Sequence, residues 1–287
     1  MTALAPLTIS RDVMGTTVGP IAHAIDARWL MAYAAGLGDT DARSFDTQAP
    51  EGPAAHPLFP VCYEWPVMLA LRARATSDAL ATRSVHATHD VTLHRAARAG
   101  DTLHTSARVT GLAHRRAGTL MTVRQDTVDG SGQLVSTTDY GTVYRGVDFE
   151  GEDAGASGEE AARFDMPAGA ATLPVDVPAG LAHIYTECAR IWNPIHTDIS
   201  VARAAGLPGI ILHGTATLAL AVSRVLRHTG TDPRGVRRVL GRFTGMVPLP
   251  SRLTVRMAEA PGGQALLFDA IGEDGAPALT GGALYLA

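Results

Sequence analysis

The sequence predicts an α+β fold made of two repeats, each a sheet around one long helix. The same order of elements recurs in both halves: a short helix, a loop, a longer apolar helix and several strands. Between the halves, residues 149–173 shift to Glu, Asp, Gly and Ala, a composition that cannot bury a core. We therefore predict one repeat at 1–148, a linker at 149–173 and a second repeat at 174–287.

The first repeat is predicted from its apolar periodicity. Residues 26–37 indicate a short helix, because Trp29 and Tyr33 share one face and glycines follow. A second helix is predicted at 63–74. The Thr- and Val-rich segments, which Gly-containing turns separate, are predicted strands at 85–95, 102–112, 119–128 and 134–147.

The second repeat follows the same pattern. A helix is predicted at 180–190 and a long one at 212–228, where Leu218, Val222 and Val225 recur at helical spacing and make a core face. A short helical segment is predicted at 199–205, with Asp198 as its N-cap or first-turn acid. The remaining strands are predicted at 238–246, 253–259, 264–271 and 278–286.

Charge composition excludes several classes of function. All 24 basic residues of the 287 are arginine, so Schiff-base catalysis, a Walker lysine and pyridoxal phosphate attachment are excluded. The net charge is −4 and the arginines are scattered among acids, so we expect no nucleic-acid partner. An anionic thioester carrier needs only a few local arginines and stays compatible with this charge.

Cysteine usage and hydropathy indicate a cytoplasmic globular protein. Cys62 and Cys188 are far apart and form no C-x-x-C pattern, so no disulfide framework, zinc site or redox pair is expected. No run of apolar residues approaches the length of a membrane span, and the N-terminus lacks the features of a signal peptide. We expect no membrane partner and consider a homodimer possible.

Two neighbouring stretches carry the chemistry. Residues 190–198 spell Arg-Ile-Trp-Asn-Pro-Ile-His-Thr-Asp, and residues 206–214 spell Gly-Leu-Pro-Gly-Ile-Ile-Leu-His-Gly. Together they supply an Asn-Pro turn, a histidine just past it, and a His-Gly pair that opens the long apolar helix. Two turns and a helix N-terminus can therefore converge on one pocket.

These stretches resemble the signature of the MaoC-like, R-specific enoyl-CoA hydratases, S-G-D-x-N-P-x-H-x-D with a downstream P-I-x-H-G. Residues 56–61, 85–95 and 100–103 resemble the N-terminal half of two-repeat members of that family. The resemblance implies a double hot-dog fold with two antiparallel sheets, and a hydratase or dehydratase activity. The expected substrate is a 3-hydroxyacyl or 2-enoyl thioester of CoA or of a phosphopantetheine carrier. The reaction needs no metal or redox cofactor, because electrons move only within the conjugated thioester.

The resemblance assigns roles to individual residues. His196 matches the family histidine, and imidazole suits either direction of proton transfer near neutral pH. Gly214 aligns with the glycine whose N–H faces the thioester carbonyl, and unpaired amides at a helix start suit an oxyanion. Asn193 is a candidate positioning residue, and His213 is expected to shape the loop. Alternatives stay open: His196 as a packing residue of the turn, Asn193 as a simple turn former and Gly214 as a glycine needed for geometry.

One departure matters, because the catalytic aspartate of the family falls on Ile191, which transfers no proton. Three explanations compete. Glu187, four residues earlier and so on the same helical face, reaches the vacated position. Alternatively His196 acts alone, in a dehydration or cyclisation of a polyketide-like intermediate. In the third explanation the chain is a catalytically silent subunit that binds an acyl group or stabilises a partner.

Further residues are expected to contact the substrate. Ile191 and Trp192 are expected to line its pocket beside the histidine. In the first half, Gly38-Asp39-Thr40-Asp41 resembles a decayed copy of the motif without Asn-Pro or histidine. Asp39 is therefore expected to help accommodate the acyl chain, and its carboxylate keeps it among the possible substitutes for the missing aspartate.

Overall fold

The computed structural model describes residues 7–155 and 164–287. The strands of the first half are β1 (Thr8–Ile9), β2 (Thr17–Ala24), β3 (Ser84–Leu93), β4 (Thr102–Arg115), β5 (Gly118–Val128), β6 (Leu134–Arg145), β7 (Asp148–Phe149) and β8 (Ala154–Gly155). Those of the second half are β9 (Ala171–Val177), β10 (Val236–Phe243), β11 (Ser251–Glu259), β12 (Ala265–Gly272) and β13 (Pro277–Leu286).

Six α-helices lie within the described residues. They are α1 (Ala27–Gly36), α2 (Pro60–Ala75), α3 (Asp78–Ala81), α4 (Leu181–Ala189), α5 (Ile199–Ala204) and α6 (Gly214–Thr229). Short 3₁₀ turns occur at Arg11–Val13, Ala42–Ser44, Pro194–His196 and Pro233–Gly235. Asp198 caps α5 as expected, since its side chain accepts hydrogen bonds from the amides of Ser200 and Val201.

One continuous antiparallel sheet joins the two halves. Its strand order is β2-β4-β5-β6-β3 in the first half and, mirrored, β10-β13-β12-β11-β9 in the second. β3 and β10 pair in the middle, where Arg238 donates two hydrogen bonds to the Asp90 carboxylate, at 2.7 and 2.6 Å. Sheet and helices in this arrangement confirm the predicted α+β class. Pairing at the middle also removes one exposed edge from each half.

The local geometry before the candidate motif repeats in the two halves. Tyr33 of α1 and Tyr185 of α4, which are 152 residues apart, bring their hydroxyl oxygens to 3.4 Å. At the same spacing, Gly38 and Arg190 both adopt left-handed backbone, and a 3₁₀ turn follows each. The position of Asp39 therefore corresponds to that of Ile191.

Two edge strands escaped prediction from the sequence. β2 contains a Gly19-Pro20 pair, which indicates a turn in sequence, and β9 begins at Ala171, inside the predicted linker. Both lie at the ends of the sheet, where one side of the strand needs no partner. The segment at 156–163, which belongs to the predicted linker, lies outside the described residues. The repeat boundaries at 148 and 174 stay a prediction.

The central helix of the second half is α6, and its inner face is fully buried. Leu218, Val222 and Val225 are each 0% exposed, and the helix packs on β9, β11, β12 and β13. It ends where Gly230 takes up left-handed backbone. None of the described helices combines the length and the apolar character that a membrane span requires.

Truncation of the α6 core is expected to destabilise the protein strongly. Leu218→Ala removes a fully buried side chain, and a cavity left in a packed core costs about 2–5 kcal/mol of unfolding free energy. Leu69→Ala is the matched control, because Leu69 also lies in a helix and is 44% exposed. Urea denaturation of both variants checks this, and equal losses would contradict the packing described.

Candidate functional site

The turn that carries the histidine begins with a strained residue. α4 ends at Ala189 because Arg190 adopts φ 58°, ψ 36°, which costs a non-glycine residue about 1–2 kcal/mol. The Arg190 guanidinium lies 3.9 Å from the ring centroid of Trp29 in the first half, a cation–π contact that offsets part of this cost. The turn is thus held against the other half of the molecule.

His196 is oriented by two hydrogen bonds. Its backbone N–H donates to the carbonyl of Asn193 at 3.1 Å, and its Nδ1 lies 2.8 Å from the carbonyl oxygen of Ile211. A carbonyl only accepts, so Nδ1 carries the proton and Nε2 keeps a free lone pair. Asn193 therefore contributes its backbone to the positioning of the histidine, and its side chain does not cap the turn.

Burial keeps His196 neutral. The side chain is 9% exposed, and loss of solvation lowers its pKa to about 4. At neutral pH the ring is therefore an unprotonated base, and the imidazolium formed when it takes a proton is more acidic than an ordinary imidazolium.

His213 stacks on His196 and supports it. The two ring centroids are 3.8 Å apart with an interplanar angle of 26°. Nε2 of His213 lies 3.2 Å from the Thr186 hydroxyl oxygen. Burial, together with the neighbouring His196, holds the pKa of His213 well below its usual range. Of the two stacked neutral imidazoles, His196 is the one whose Nε2 keeps its lone pair free.

The start of α6 provides the electrophilic side of the site. No side chain caps the helix, so the first amides, beginning with Gly214, lack an intrahelical acceptor and carry partial positive charge. A methyl group added at Gly214 would lie 3.3 Å from the ring of Phe243, so a larger residue forces that ring to shift. The glycine thus lets the Phe243 ring pack closely against the helix start.

Of the other residues predicted beside the histidine, one is buried and two are exposed. Ile191 is buried, and its N–H donates to the Thr186 carbonyl at 3.1 Å. Trp192 is 59% exposed and points to solvent instead of lining the interior. Glu187 is exposed on the outer side of α4. The helical spacing argument for Glu187 does not hold, because the helix ends at Ala189 and Ile191 is no longer on a helical face.

Asp39 does not lie beside His196. It accepts a hydrogen bond from Ser44 at 2.9 Å and lines a cavity of about 210 Å³ with residues of the far end of α6, among them Arg227. About thirteen residues of helix separate Arg227 from Gly214, roughly 20 Å at 1.5 Å per residue. Asp39 is therefore not placed to replace the carboxylate beside His196.

Sequence reasoning missed the hydroxyl groups of α4. Tyr185 donates a hydrogen bond to the Thr215 hydroxyl at 3.1 Å, and its own hydroxyl contacts that of Tyr33. The Thr186 hydroxyl contacts Nε2 of His213. Both Tyr185 and Thr186 belong to the buried face of α4, whose spacing was visible in the sequence. Their polarity at core positions was the available indication that this helix faces a site.

Family models match both halves of the chain. Residues 173–264 match the MaoC like domain, and residues 12–138 match the FAS1-like dehydratase domain region. Fatty acid synthase beta subunit pkiC of Emericella nidulans is 32% identical over 136 residues, which cover 45% of this chain and 7% of that protein. Peroxisomal enoyl-CoA hydratase 2 of Arabidopsis thaliana is 40% identical over 53 residues, 18% of this chain and 17% of that protein. The chain thus spans a small part of these relatives.

Solved structures share the fold over nearly the whole chain. A MaoC-like dehydratase from Phytophthora capsici superposes with a TM-score of 0.80 at 22% identity, covering 96% of each chain. A Mycobacterium tuberculosis protein described as a double hotdog fold superposes with a TM-score of 0.59 at 17% identity, covering 95% of each chain. The double hot-dog fold expected from the motif is therefore confirmed.

Buried histidines are expected to make the fold sensitive to acid. His56, His89 and His196 each have a pKa of about 4 when folded, against about 6.5 when unfolded. Between these two values the unfolded chain binds protons that the folded protein does not. The free energy of unfolding is therefore highest above pH 6.5 and falls as pH drops towards 4, by about 1.4 kcal/mol per pH unit for each histidine. Burial raises the pKa of Glu64 to about 8, so above pH 4.5 this group lowers the free energy of unfolding as pH rises. Its effect cancels that of one histidine.

The unfolding free energy is therefore expected to rise with pH between 4.5 and 6.5, as measured by urea denaturation. His89→Phe should make this rise shallower, because the side chain is 1% exposed. The exposed His94 is the control, and His94→Phe should leave the slope unchanged. A flat or falling profile would contradict neutral burial of these rings.

Proposed function

We propose, from the premise that residues 173–264 carry a MaoC-like dehydratase domain, that this chain interconverts 3-hydroxyacyl and 2-enoyl thioesters. The observation that supports the proposal best is the hydrogen bond from His196 Nδ1 to the Ile211 carbonyl. It leaves Nε2 as the basic nitrogen, and His213, on which the ring stacks, directly precedes a helix start that no side chain caps. A base and an oxyanion site are what the reaction requires.

His196 serves both proton transfers in the proposed mechanism. In the dehydration direction, Nε2 removes the C2 proton while charge develops on the thioester oxygen. The imidazolium then gives that proton to the C3 hydroxyl, which leaves as water while the C2–C3 double bond forms. One proton moves from carbon to water, and the ring returns to its neutral form. A pKa of about 4 makes the transient imidazolium a good donor to a poor leaving group.

The first amides of α6 are proposed to hold the thioester oxygen. Partial positive charge at a helix start is fixed in place before the reaction, so it stabilises the enolate without reorganisation. Ile191 supplies an apolar wall, and exclusion of water strengthens these hydrogen bonds. CoA or a phosphopantetheine carrier is the proposed thioester carrier, and no cyclisation is proposed.

A second function, acyl-thioester binding without turnover, is favoured by one observation. Ile191 is buried where the family has its aspartate, and no carboxylate of the described residues forms an ion pair with His196. In that case the pocket would bind the acyl group and a partner subunit would perform the reaction.

His196→Ala is expected to lower the turnover of a 3-hydroxyacyl pantetheine thioester by about 10² to 10⁴, the usual contribution of a general acid–base group. Glu187→Gln is the matched control and should stay within about twofold of the parent rate, because Glu187 is exposed. Product formation is measured by mass spectrometry. Turnover that survives in His196→Ala, or collapses in Glu187→Gln, would reject the assignment. Binding without turnover in the unchanged protein would favour the second function.

Placing a carboxylate at position 191 tests whether the missing aspartate limits the rate of hydration. Ile191→Asp should raise hydration of a short enoyl thioester by more than about tenfold, because a second proton-transfer group then adjoins His196. Ile191→Asn has nearly the same size and polarity but does not ionise, and it should show no gain. Equal gains in both variants would mean that space or polarity, and not proton transfer, limits the rate.

A further inference from the structure

A cluster of buried and half-buried polar side chains lies under α2, where the fold would be expected to place apolar residues. We call it the α2 polar cluster, and its members are Glu64, Arg72, His86, His89, Gln125 and Tyr140. Glu64, His89 and Gln125 are at most 2% exposed. Groups like these are expensive to bury unless they find hydrogen-bond partners.

Several atoms of this cluster have no partner within the described residues. They are Glu64 Oε2, Arg72 Nε, Gln125 Oε1 and both ring nitrogens of His89. Each such atom costs about 1–3 kcal/mol of stability when it stays unsatisfied. So many together distinguish this region from an ordinary packed core.

The sheet register brings these atoms into one region. Tyr140 of β6 pairs with His89 of β3 on one side and with Val123 of β5 on the other. Two residues further along the same strands, Gln125 pairs with Thr138. Thr138 donates a hydrogen bond to Glu64 Oε1, and Arg72 donates to the Tyr140 hydroxyl at 3.3 Å. The His86 ring stacks on Tyr140 at 3.7 Å.

The cluster offers both donors and acceptors. Burial raises the pKa of Glu64 to about 8, so near neutral pH its carboxyl group is mainly protonated and Oε2 is available as a donor or acceptor. Burial lowers the pKa of His89 to about 4, so its neutral ring has one donor and one acceptor nitrogen. Arg72 adds a cationic donor. The chemical group that suits this mixture of donors and acceptors is a small neutral oxygen function, either a hydroxyl or a keto group.

Phe243 connects the cluster to the candidate active site. Its ring lies 4.5 Å from that of His86, centroid to centroid. It also lies close to Gly214, the first residue of α6, where an added Cβ would be 3.3 Å from the ring. One aromatic ring therefore contacts both the α2 polar cluster and the start of α6.

We propose that the α2 polar cluster binds a hydroxyl or keto group on the distal part of the acyl chain, so that the substrate is an oxygenated acyl thioester and not a plain fatty acyl one. This inference rests on the proposed function for the position of the thioester. A site built to hydrogen-bond an oxygen function rejects a chain that lacks it, because its buried groups then stay unpaired.

The test compares a 3-hydroxyacyl pantetheine thioester with a plain alkyl chain against a series of the same length, each member of which carries one distal keto or hydroxyl group. The parent protein should prefer at least one oxygenated chain by more than about tenfold in kcat/KM. Tyr140→Phe removes one hydroxyl and should reduce that preference, chiefly by slowing turnover of the oxygenated chain. Tyr144→Phe is the control, because Tyr144 is also buried on the same strand and is not a member of the cluster.

A second variant separates recognition from folding. Gln125→Leu replaces an unpaired amide by an apolar group of similar size, so it should raise Tm while reducing the preference for oxygenated chains. A lower Tm with equal losses on both chains would show that the cluster has a structural role only. A parent protein that prefers the plain chain, or neither chain, would overturn the proposal.

Binding measurements keep this inference separate from the catalytic one. Calorimetry with non-hydrolysable analogues of both chains, on the His196→Ala protein, should show the same preference in Kd. Preferential binding without turnover in the parent would reject the proposed activity and retain the cluster. Turnover of both chains with equal Kd would retain the activity and reject the cluster.

Discussion

The candidate site depends on the buried hydrogen bond between His196 Nδ1 and the Ile211 carbonyl. That carbonyl is fixed in turn, because Ile211 forms a bridge with Pro248 and the N–H of Leu212 donates to Val247 at 2.8 Å. The same segment then enters α6 at Gly214. One short stretch of backbone therefore sets the tautomer of the base and the position of the unpaired amides. In the proposed mechanism, proton transfer and oxyanion binding are coupled through this stretch.

The two halves have kept different parts of one geometry. The second half retains the histidine and has Ile191 at the acidic position, whereas the first half has Asp39 there and Ser44 in place of the histidine. In our account, the second half performs the chemistry, and the inner sheet face of the first half, with its α2 polar cluster, selects the acyl chain. Each half thereby carries a cost in stability, through neutral buried histidines or unpaired polar atoms, that a purely structural core would avoid.

Much of the fold followed from the sequence because its apolar periodicity is strong. The central helix α6, the eight interior strands and the Asp198 cap all depend on local pattern, which the sequence displays directly. The edge strands β2 and β9 were missed because their pairing depends on the neighbouring strand and not on their own composition. His196 and Gly214 were found through their motif. Glu187 was misplaced because helical spacing was extended past Ala189, and a left-handed arginine at 190 gives no sign in sequence. The α2 polar cluster was invisible because it unites residues distant along the chain.

The pH dependence of kcat/KM tests the central claim, that His196 performs both proton transfers without a carboxylate. The substrate is a short 3-hydroxyacyl thioester with a plain chain, so that the α2 polar cluster does not contribute. Because kcat/KM reports ionisations of the free enzyme, one catalytic group predicts one acidic limb, a tenfold fall per pH unit below a pKa of about 4 and a plateau from about pH 5.5 to 9. A bell-shaped profile, with an alkaline limb from a second group that must stay protonated, would contradict the account.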